Sequence, residues 1–212
     1  MARRLPVYLL LDVSGSMYGE PIEAVRNGVQ LLVSTLQGEP YALETAYLSV
    51  ITFGSDAQQL IPLTEIASFQ APTSIDAGGL TSMGAALKLL SERVNAEVAK
   101  TTPTAKGDWK PLVFIMTDGE PTDDLSVGLE AMKHCKLGTV VCCAVGQHAN
   151  ADNLKLISDN VLQMAEADAA SIRTFFKWVS ASVTVGSEKV DKNHGDIGLG
   201  DLPPPPGGIS IV

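Results

Sequence analysis

Cysteine is scarce in this sequence, and no two cysteines have the spacing of a metal-binding or redox motif. Only three of the 212 residues are cysteine, and Cys142 and Cys143 stand side by side within an apolar run. Buried free thiols are the usual outcome for cysteines in such surroundings. The sequence therefore contains no Cys-x-x-Cys site, and it favours a protein of the reducing cytoplasm.

Positively charged residues are also few. The chain has 15 Lys and Arg residues against 24 Asp and Glu residues, which gives a formal net charge of −9 at pH 7. Nonspecific binding to nucleic acid or to anionic membranes rewards surfaces rich in Lys and Arg, so both functions are disfavoured. An acidic chain is compatible with binding metal ions or basic partners.

Long apolar runs are absent as well. No run approaches the roughly 20 residues that an α-helix needs to span a bilayer. The N-terminal stretch MARRLPVYLLLDV places Arg3 and Arg4 before an apolar segment. That segment is short, ends in Asp12 and has no small-residue cleavage site behind it. We therefore predict a buried first strand rather than a signal peptide.

Motifs that would identify a common class of enzyme are missing. No G-x-G-x-x-G follows the first strand, no G-x-S-x-G occurs, and Gly78-Gly79 is not followed by the Gly-Lys-Ser/Thr of a phosphate-binding loop. Phosphatases of the haloacid dehalogenase type need a second aspartate where this chain has Ser14. The three histidines are scattered, and none is placed as an evident general base. We predict that the chain is not an enzyme, with a magnesium-dependent, phosphatase-like hydrolase as the enzymatic alternative.

Alternating strands and helices are what the sequence does contain. Apolar runs, most of them rich in β-branched residues, predict strands at 5–11, 45–53, 57–63, 111–116, 139–145 and 161–164. Apolar residues at helical spacing follow most of these runs, and a short turn, Gly54-Ser55-Asp56, joins the second run to the third as a hairpin. This alternation predicts a doubly wound α/β fold with a mostly parallel sheet and helices on both faces.

The composition changes after about residue 186. Residues 187–212 contain four consecutive prolines and show no helical or strand periodicity. We expect residues 1–186 to form one domain and residues 187–212 to form a flexible Pro/Gly-rich tail outside the core. In an alternative interpretation the tail is itself the interaction segment of a scaffold module, and a metal has only a structural role. The prolines would then enter a partner's groove, or residues 209–212 would add a strand to a sheet edge.

Oxygen-bearing side chains collect in three segments that this fold brings to one edge of the sheet. Two predicted strands end in the polar turns DVSGS and TDGEPTDD, and a third polar stretch, GGLTSMG, precedes a predicted helix. The carboxyl ends of parallel strands meet at one edge, where α/β sheets bind their ligands. The candidate metal ligands are Asp12, Ser14, Ser16, Thr81 and Asp118. Five oxygen donors suit a hard divalent cation such as Mg²⁺.

Simpler roles exist for some residues of these segments. Ser14 or Ser16 taken alone is equally well explained as the N-cap of the following helix. Asp123 and Asp124 are expected to stabilise the start of the next helix through its dipole rather than to bind metal. Glu120 is expected to be a solvated loop carboxylate. The metal interpretation depends on the combination of all three segments.

This combination resembles the von Willebrand factor type A (VWA) family and its metal-ion-dependent adhesion site. The resemblance covers roughly residues 4–184 and is carried by three motifs, which are Asp12-x-Ser14-x-Ser16, Thr81 behind Gly78-Gly79, and Asp118 in Thr117-Asp118-Gly119. It implies a Rossmann-like, six-stranded sheet with one antiparallel edge strand, in which the first and fourth strands are neighbours. It also implies Mg²⁺, with Mn²⁺ or Ca²⁺ as substitutes, bound by those five side chains.

Within the VWA family the chain is most similar to the bacterial tellurite-resistance TerY group, which shares the intact site, the short length and the proline-rich tail. This similarity implies a cytoplasmic adaptor in a tellurite-resistance or stress-response system. Its ion would capture a Glu or Asp side chain of a partner protein, and TerD-type, kinase and phosphatase proteins are the expected partners. No residue of the chain indicates a direct reaction with tellurium.

Overall fold

The computed structural model describes residues 3–146, 149–192 and 195–212. The strands within these ranges are β1 (Leu5–Asp12), β2 (Ala46–Phe53), β3 (Ala57–Glu65), β4 (Leu112–Thr117), β5 (Val140–Val145), β6 (Val161–Met164) and β7 (Ile209–Ile211). The α-helices are α1 (Glu20–Gln37), α2 (Pro40–Thr45), α3 (Met83–Glu97), α4 (Leu125–Lys133), α5 (Ala151–Lys155) and α6 (Ala169–Asp191).

These strands form one sheet with the order β3-β2-β1-β4-β5-β6-β7. The central strands run parallel, while β3 pairs antiparallel with β2 and β7 pairs antiparallel with β6. The predicted doubly wound α/β class and the neighbouring positions of β1 and β4 are confirmed. Two details are corrected: the described residues form seven strands rather than six, and both edge strands are antiparallel. The additional strand, β7, comes from the segment expected to be a tail.

Helices cover both faces of the sheet, as predicted, because the central strands are apolar on both sides. Every residue of β1 is buried. Val7 and Leu9 belong to the apolar cluster shared with α1 and α6, whereas Tyr8 and Leu10 belong to the cluster shared with α3. A strand buried on both faces has a continuous apolar run rather than an alternating one.

Residues beyond 186 pack against the domain, which differs from the expected tail outside the core. Helix α6 crosses the expected boundary and ends at Asp191. The side chain of Ile197 fills the notch beside Gly186, where a Cβ would lie 2.7 Å from its Cδ1. The indole N–H of Trp178 donates a hydrogen bond to the carbonyl of Pro203 at 2.8 Å. Apolar side chains of this segment therefore join the core cluster.

Two further observations concern the histidines and the helices. His134 is exposed, as expected, while His148 and His194 lie outside the described residues. In the described ranges, no helix has both the length and the apolar character needed to cross a bilayer.

Candidate metal site

Asp12 is the last residue of β1, so its carboxylate lies at the carboxyl end of the sheet beside β4. The side chain is fully buried. Oδ1 accepts a hydrogen bond from the backbone N–H of Ser14 at 2.8 Å, and Oδ2 accepts one from the hydroxyl of Thr117. Burial raises the pKa of Asp12, these hydrogen bonds oppose the rise, and the charge of Asp118 adds to it. The ionised form of such a group is stabilised by a nearby cation.

Ser14 and Ser16 connect this first loop to the loop after β4. Their hydroxyl oxygens are 3.0 Å apart, and the Ser16 hydroxyl donates a hydrogen bond to Oδ1 of Asp118 at 2.8 Å. Ser14 is buried, whereas Ser16 faces solvent. Burial raises the pKa of Asp118 as well, and the bond from Ser16 opposes the rise. Three of the five predicted ligands therefore form a continuous line of polar contacts.

The loop that carries Thr81 packs against the first loop through backbone hydrogen bonds. The N–H of Gly78 donates to the carbonyl of Val13 at 2.8 Å, and the N–H of Gly15 donates to the carbonyl of Gly79 at 3.1 Å. These two bonds cross between loops that are far apart in sequence. They place the segment before α3 at the same edge of the sheet as Asp12.

Thr81 itself is held by the loop after β4. Its N–H donates to the hydroxyl of Thr122 at 3.0 Å, and its carbonyl accepts the N–H of Thr122 at 2.9 Å. Its Oγ1 would lie 3.5 Å from a Cβ built on Gly119, the residue after Asp118. The structure thus brings all five predicted residues to one edge of the sheet, on three loops that contact one another.

Ser55, in the turn between β2 and β3, positions the Thr81 loop, and no sequence signal indicated this role. Its Oγ accepts the N–H of Leu80 at 3.2 Å, and its carbonyl accepts the hydroxyl of Ser82 at 2.9 Å. A Cβ built on Gly79, whose φ is +79°, would lie only 2.1 Å from the same Oγ. Glycine suits both this backbone conformation and this close contact. Thr81 is therefore fixed from both sides.

Asp123 stabilises α3 rather than α4, the helix that follows it in sequence. Its two carboxylate oxygens accept the N–H groups of Gly84 at 3.0 Å and Ala85 at 2.8 Å, in the first turn of α3. The expected role at α4 is filled by Asp124, which accepts the N–H of Ser126 at 3.0 Å. The expectation for Asp123 was wrong because this cap acts on a helix from an earlier part of the chain. It also ties the Thr81 segment to the loop of Asp118.

The donor atoms at this edge are oxygens of two carboxylates and three hydroxyls. Hard divalent cations such as Mg²⁺ and Mn²⁺ prefer oxygen ligands. In the part of the chain that the structure describes, no group of three or more His, Cys, Asp or Glu side chains is placed to hold a metal. A cation at this edge would therefore depend on the hydroxyls of Ser14, Ser16 and Thr81 as much as on the carboxylates. The donor set fits a divalent cation that is bound by more neutral ligands than charged ones.

The surroundings of these residues are acidic and partly apolar. The loop segments 12–20, 54–56, 70–82, 118–124 and 165–168 contain no Lys or Arg. They carry the carboxylates of Asp12, Glu20, Asp56, Asp76, Asp118, Glu120, Asp123, Asp124, Glu166 and Asp168. Two large apolar side chains in the same loops are exposed, Tyr18 at 80% and Leu80 at 59%. This edge of the molecule attracts cations and exposes apolar surface.

Comparison with known sequences identifies a domain family. The chain matches the family model of the von Willebrand factor type A domain over residues 7–178. It is also 31% identical over 198 residues to an uncharacterized protein from Synechocystis sp., a match that covers 87% of this chain and 43% of that protein. The chain therefore spans less than half the length of this curated relative.

Solved structures with the same fold include two that hold a metal ion. One is proximal thread matrix protein 1 from the mussel byssus with a zinc-occupied MIDAS motif. It has a TM-score of 0.59 and 21% identity, over 85% of this chain and 48% of that one. The other is the manganese-loaded TRAP protein of Plasmodium vivax, with a TM-score of 0.54 and 23% identity, over 82% and 73% of the two chains. At these identities the likeness shows the fold alone.

Proposed function

The chain belongs to the von Willebrand factor type A domain family, and from that premise we propose that it is a metal-dependent protein-binding module rather than an enzyme. The residues proposed to hold the cation are Asp12, Ser14, Ser16, Thr81 and Asp118. A Glu or Asp side chain of a partner protein completes the coordination, so that the partner binds only when the ion is present.

The observation that supports this proposal best is the contact between loops that are distant in sequence. The Ser16 hydroxyl reaches the carboxylate of Asp118, 102 positions away, while it also contacts Ser14. The simpler role of helix cap does not account for this arrangement. Helix α1 begins after Gly19, and the Ser14 side chain makes no capping bond to the short helical turn at 15–17.

The roles of the five residues differ. Both oxygens of Asp12 already accept hydrogen bonds, so Asp12 orients Ser14 and supplies negative charge from behind the hydroxyls. Ser14, Ser16 and Thr81 offer neutral oxygens. A divalent ion bound mainly by neutral oxygens supplies an electrophilic position for an incoming carboxylate. Asp118 accepts the Ser16 hydroxyl and keeps that oxygen directed into the site.

We propose Mg²⁺ as the ion, with Mn²⁺ or Ca²⁺ as substitutes. Zinc in the mussel protein and manganese in the Plasmodium protein support a divalent cation in general. The donors here are all oxygens, whereas zinc sites in proteins are built largely from Cys and His. This chemistry favours Mg²⁺ and Mn²⁺ over zinc.

The finer proposal is a cytoplasmic adaptor of the TerY type, acting in tellurite resistance or stress response. Its proposed partners are TerD-type, kinase or phosphatase proteins, and the similarity of the site motifs to the TerY group supports this assignment. The exposed Tyr18 and Leu80 support a protein surface as the ligand, because apolar side chains beside the site would be buried by a partner.

Ion binding is tested by calorimetry with Mg²⁺ and Mn²⁺ on the full chain. Asp12→Asn keeps the shape of the buried side chain but removes its charge, and we expect it to lower ion affinity by about tenfold or more. Thr104→Ala, in an exposed loop at the other end of the sheet, serves as the control. Equal affinity of wild type and Asp12→Asn would rule out this metal site.

Partner binding is tested by capture of candidate partners with and without chelator. Thr81→Ala is expected to weaken partner binding more than ion binding, because its neutral hydroxyl shapes the coordination while the aspartates supply the charge. A genuine partner that binds equally well in excess chelator would show that the contact lies elsewhere on the chain.

A further inference from the structure

A cavity of about 510 Å³ opens at the opposite end of the sheet, beside the amino ends of β1 and β4. Val94 of α3, Val98 and Trp109 contribute apolar surface to its lining, and the ring of Trp109 is almost fully buried. The volume lies within the roughly 300–1,000 Å³ that is typical of small-molecule sites. It shares no lining residue with the candidate metal site.

Cationic side chains dominate the rim of this cavity, although the chain as a whole is acidic. The rim carries Arg3, Lys100, Lys110 and Lys136. Lys110 is paired with Asp196 at 2.9 Å. Among the described residues, no carboxylate forms an ion pair with Arg3, Lys100 or Lys136, so three positive charges remain uncompensated around one cavity.

Among the described residues, the one other carboxylate of the lining does not neutralise these cations. The Asp108 carboxylate accepts hydrogen bonds from Nε and Nη2 of Arg4, at 2.9 and 2.5 Å, and from the N–H of Ala99 at 2.7 Å. The charge of Asp108 is therefore already balanced by its bidentate pairing with Arg4. His134 also lines the cavity, and its Nε2 lies 3.6 Å from a carboxylate oxygen of Glu130.

Arg3 is held in place before any ligand arrives. Its Nε donates to the carbonyl of Gly107 at 2.7 Å, its Nη2 donates to the carbonyl of Asp108 at 3.1 Å, and its guanidinium lies 3.7 Å from the ring centre of Trp109. All three contacts leave the positive charge of Arg3 in place. A fixed guanidinium with remaining N–H donors suits planar recognition of a carboxylate or phosphate.

The loop that forms one wall is folded back on the segment that follows α3. The N–H of Asp108 donates to the carbonyl of Ala99 at 2.9 Å, and the N–H of Gly107 donates to the hydroxyl of Thr101 at 3.0 Å. A Cβ on Gly107 would lie 2.3 Å from the Ala99 carbonyl, so the backbone can close in this way only at glycine. The cavity is therefore preformed, which lowers the entropic cost of binding.

We propose that this cavity binds a small organic anion. Its carboxylate or phosphate group would be held by Arg3 with Lys100 and Lys136, and its apolar part would lie against Val98. The favourable interaction of a positive charge with the C-terminal end of a helix dipole explains why lysines follow α3 and α4. It does not explain Arg3 and Lys110, which precede strands and face the same cavity.

The proposal is tested with 8-anilinonaphthalene-1-sulfonate, a fluorescent probe with one anionic group on an apolar body. We expect one probe molecule per full chain, with energy transfer from tryptophan that falls in Trp109→Phe, where Trp178 is the remaining donor. The double variant Lys100→Gln/Lys136→Gln changes only exposed side chains, so it should fold, and it should bind the probe about tenfold more weakly. The matched control is Lys88→Gln/Lys177→Gln, which removes two exposed lysines elsewhere.

Competition distinguishes the two sources of the anionic group. Displacement of the probe by pyrophosphate indicates a phosphate-bearing ligand, and displacement by citrate indicates a carboxylate-bearing one; either result supports the proposal. Equal probe affinity in Lys100→Gln/Lys136→Gln and wild type would overturn it. So would equally tight binding of the neutral analogue N-phenyl-1-naphthylamine, since the cavity would then select apolar surface and not charge.

Discussion

At the scale of single residues, the position of Thr81 depends on the glycine two places before it. Gly79 has a φ of +79° and sits against Ser55, so an added methyl group would be strained by its backbone and would overlap the serine. We expect Gly79→Ala to lower the free energy of unfolding by about 2 kcal/mol or more. We also expect it to weaken Mg²⁺ binding, because the Thr81 hydroxyl moves with the loop.

The measurements are urea denaturation and calorimetry with Mg²⁺. Gly207→Ala is the matched control, because a Cβ at Gly207 meets no atom within 4 Å. Unchanged stability and ion affinity in Gly79→Ala would show that the loop can shift without cost and that Ser55 does not position Thr81.

The residues of the candidate site differ in how far sequence could predict them. Asp12, Ser14 and Ser16 were predicted because their spacing is local and follows a strand. The roles of Ser55 and Thr117 were not, although Thr117 stands in one of the three motifs, because a serine in a hairpin turn and a threonine at a strand end are common. Their roles depend on contacts between loops that are distant in sequence. Such contacts produce no local periodic pattern from which they could be predicted.

At the scale of elements, the strands and helices of the core were predictable and the C-terminal segment was not. Continuous apolar runs and helical spacing indicate an element without reference to its neighbours. Ile197, Leu202 and Ile209 are separated by glycines and prolines, so they show no period. They are nevertheless buried, because Gly186 leaves a notch in α6 and β6 leaves an open edge.

We therefore predict that the C-terminal segment stabilises the domain. A chain that ends at Lys192 loses the burial of three apolar side chains, worth roughly 4–9 kcal/mol in all. Its melting temperature should fall by about 10 °C or more. A chain that ends at Gly208 removes only β7 and should lose less. Thermal denaturation followed by circular dichroism measures both, and a Lys192-terminated chain that melts with the full chain would contradict the packing.

At the scale of the whole molecule, charge is divided between the two ends of the sheet. The loops around the candidate metal site carry carboxylates and no Lys or Arg in their described residues. Arg3, Lys100, Lys110 and Lys136 gather around the cavity at the opposite end. The net charge of −9 is therefore not spread evenly. The carboxylates of the first end concentrate divalent cations there, and the unpaired cations Arg3, Lys100 and Lys136 attract small anions to the cavity.

We expect the carboxylates around the candidate metal site, and not only the five ligands, to set the affinity for Mg²⁺. Asp56 and Asp76 are exposed in loops that contact the site, but neither is a proposed ligand. Reversing either charge, as Asp56→Lys or Asp76→Lys, should weaken Mg²⁺ binding by about two- to fivefold at low ionic strength. The effect should shrink as salt is added, because exposed charges are screened whereas direct ligands are not.

Asp159→Lys is the matched control, since Asp159 is an exposed carboxylate in the loop before β6, at the opposite end of the sheet. Calorimetry at low and physiological ionic strength compares the three variants with wild type. If Asp159→Lys weakens Mg²⁺ binding as much as Asp76→Lys does, only the total charge matters. If Asp56→Lys and Asp76→Lys have no effect at low salt, Mg²⁺ affinity is set by the five ligands alone.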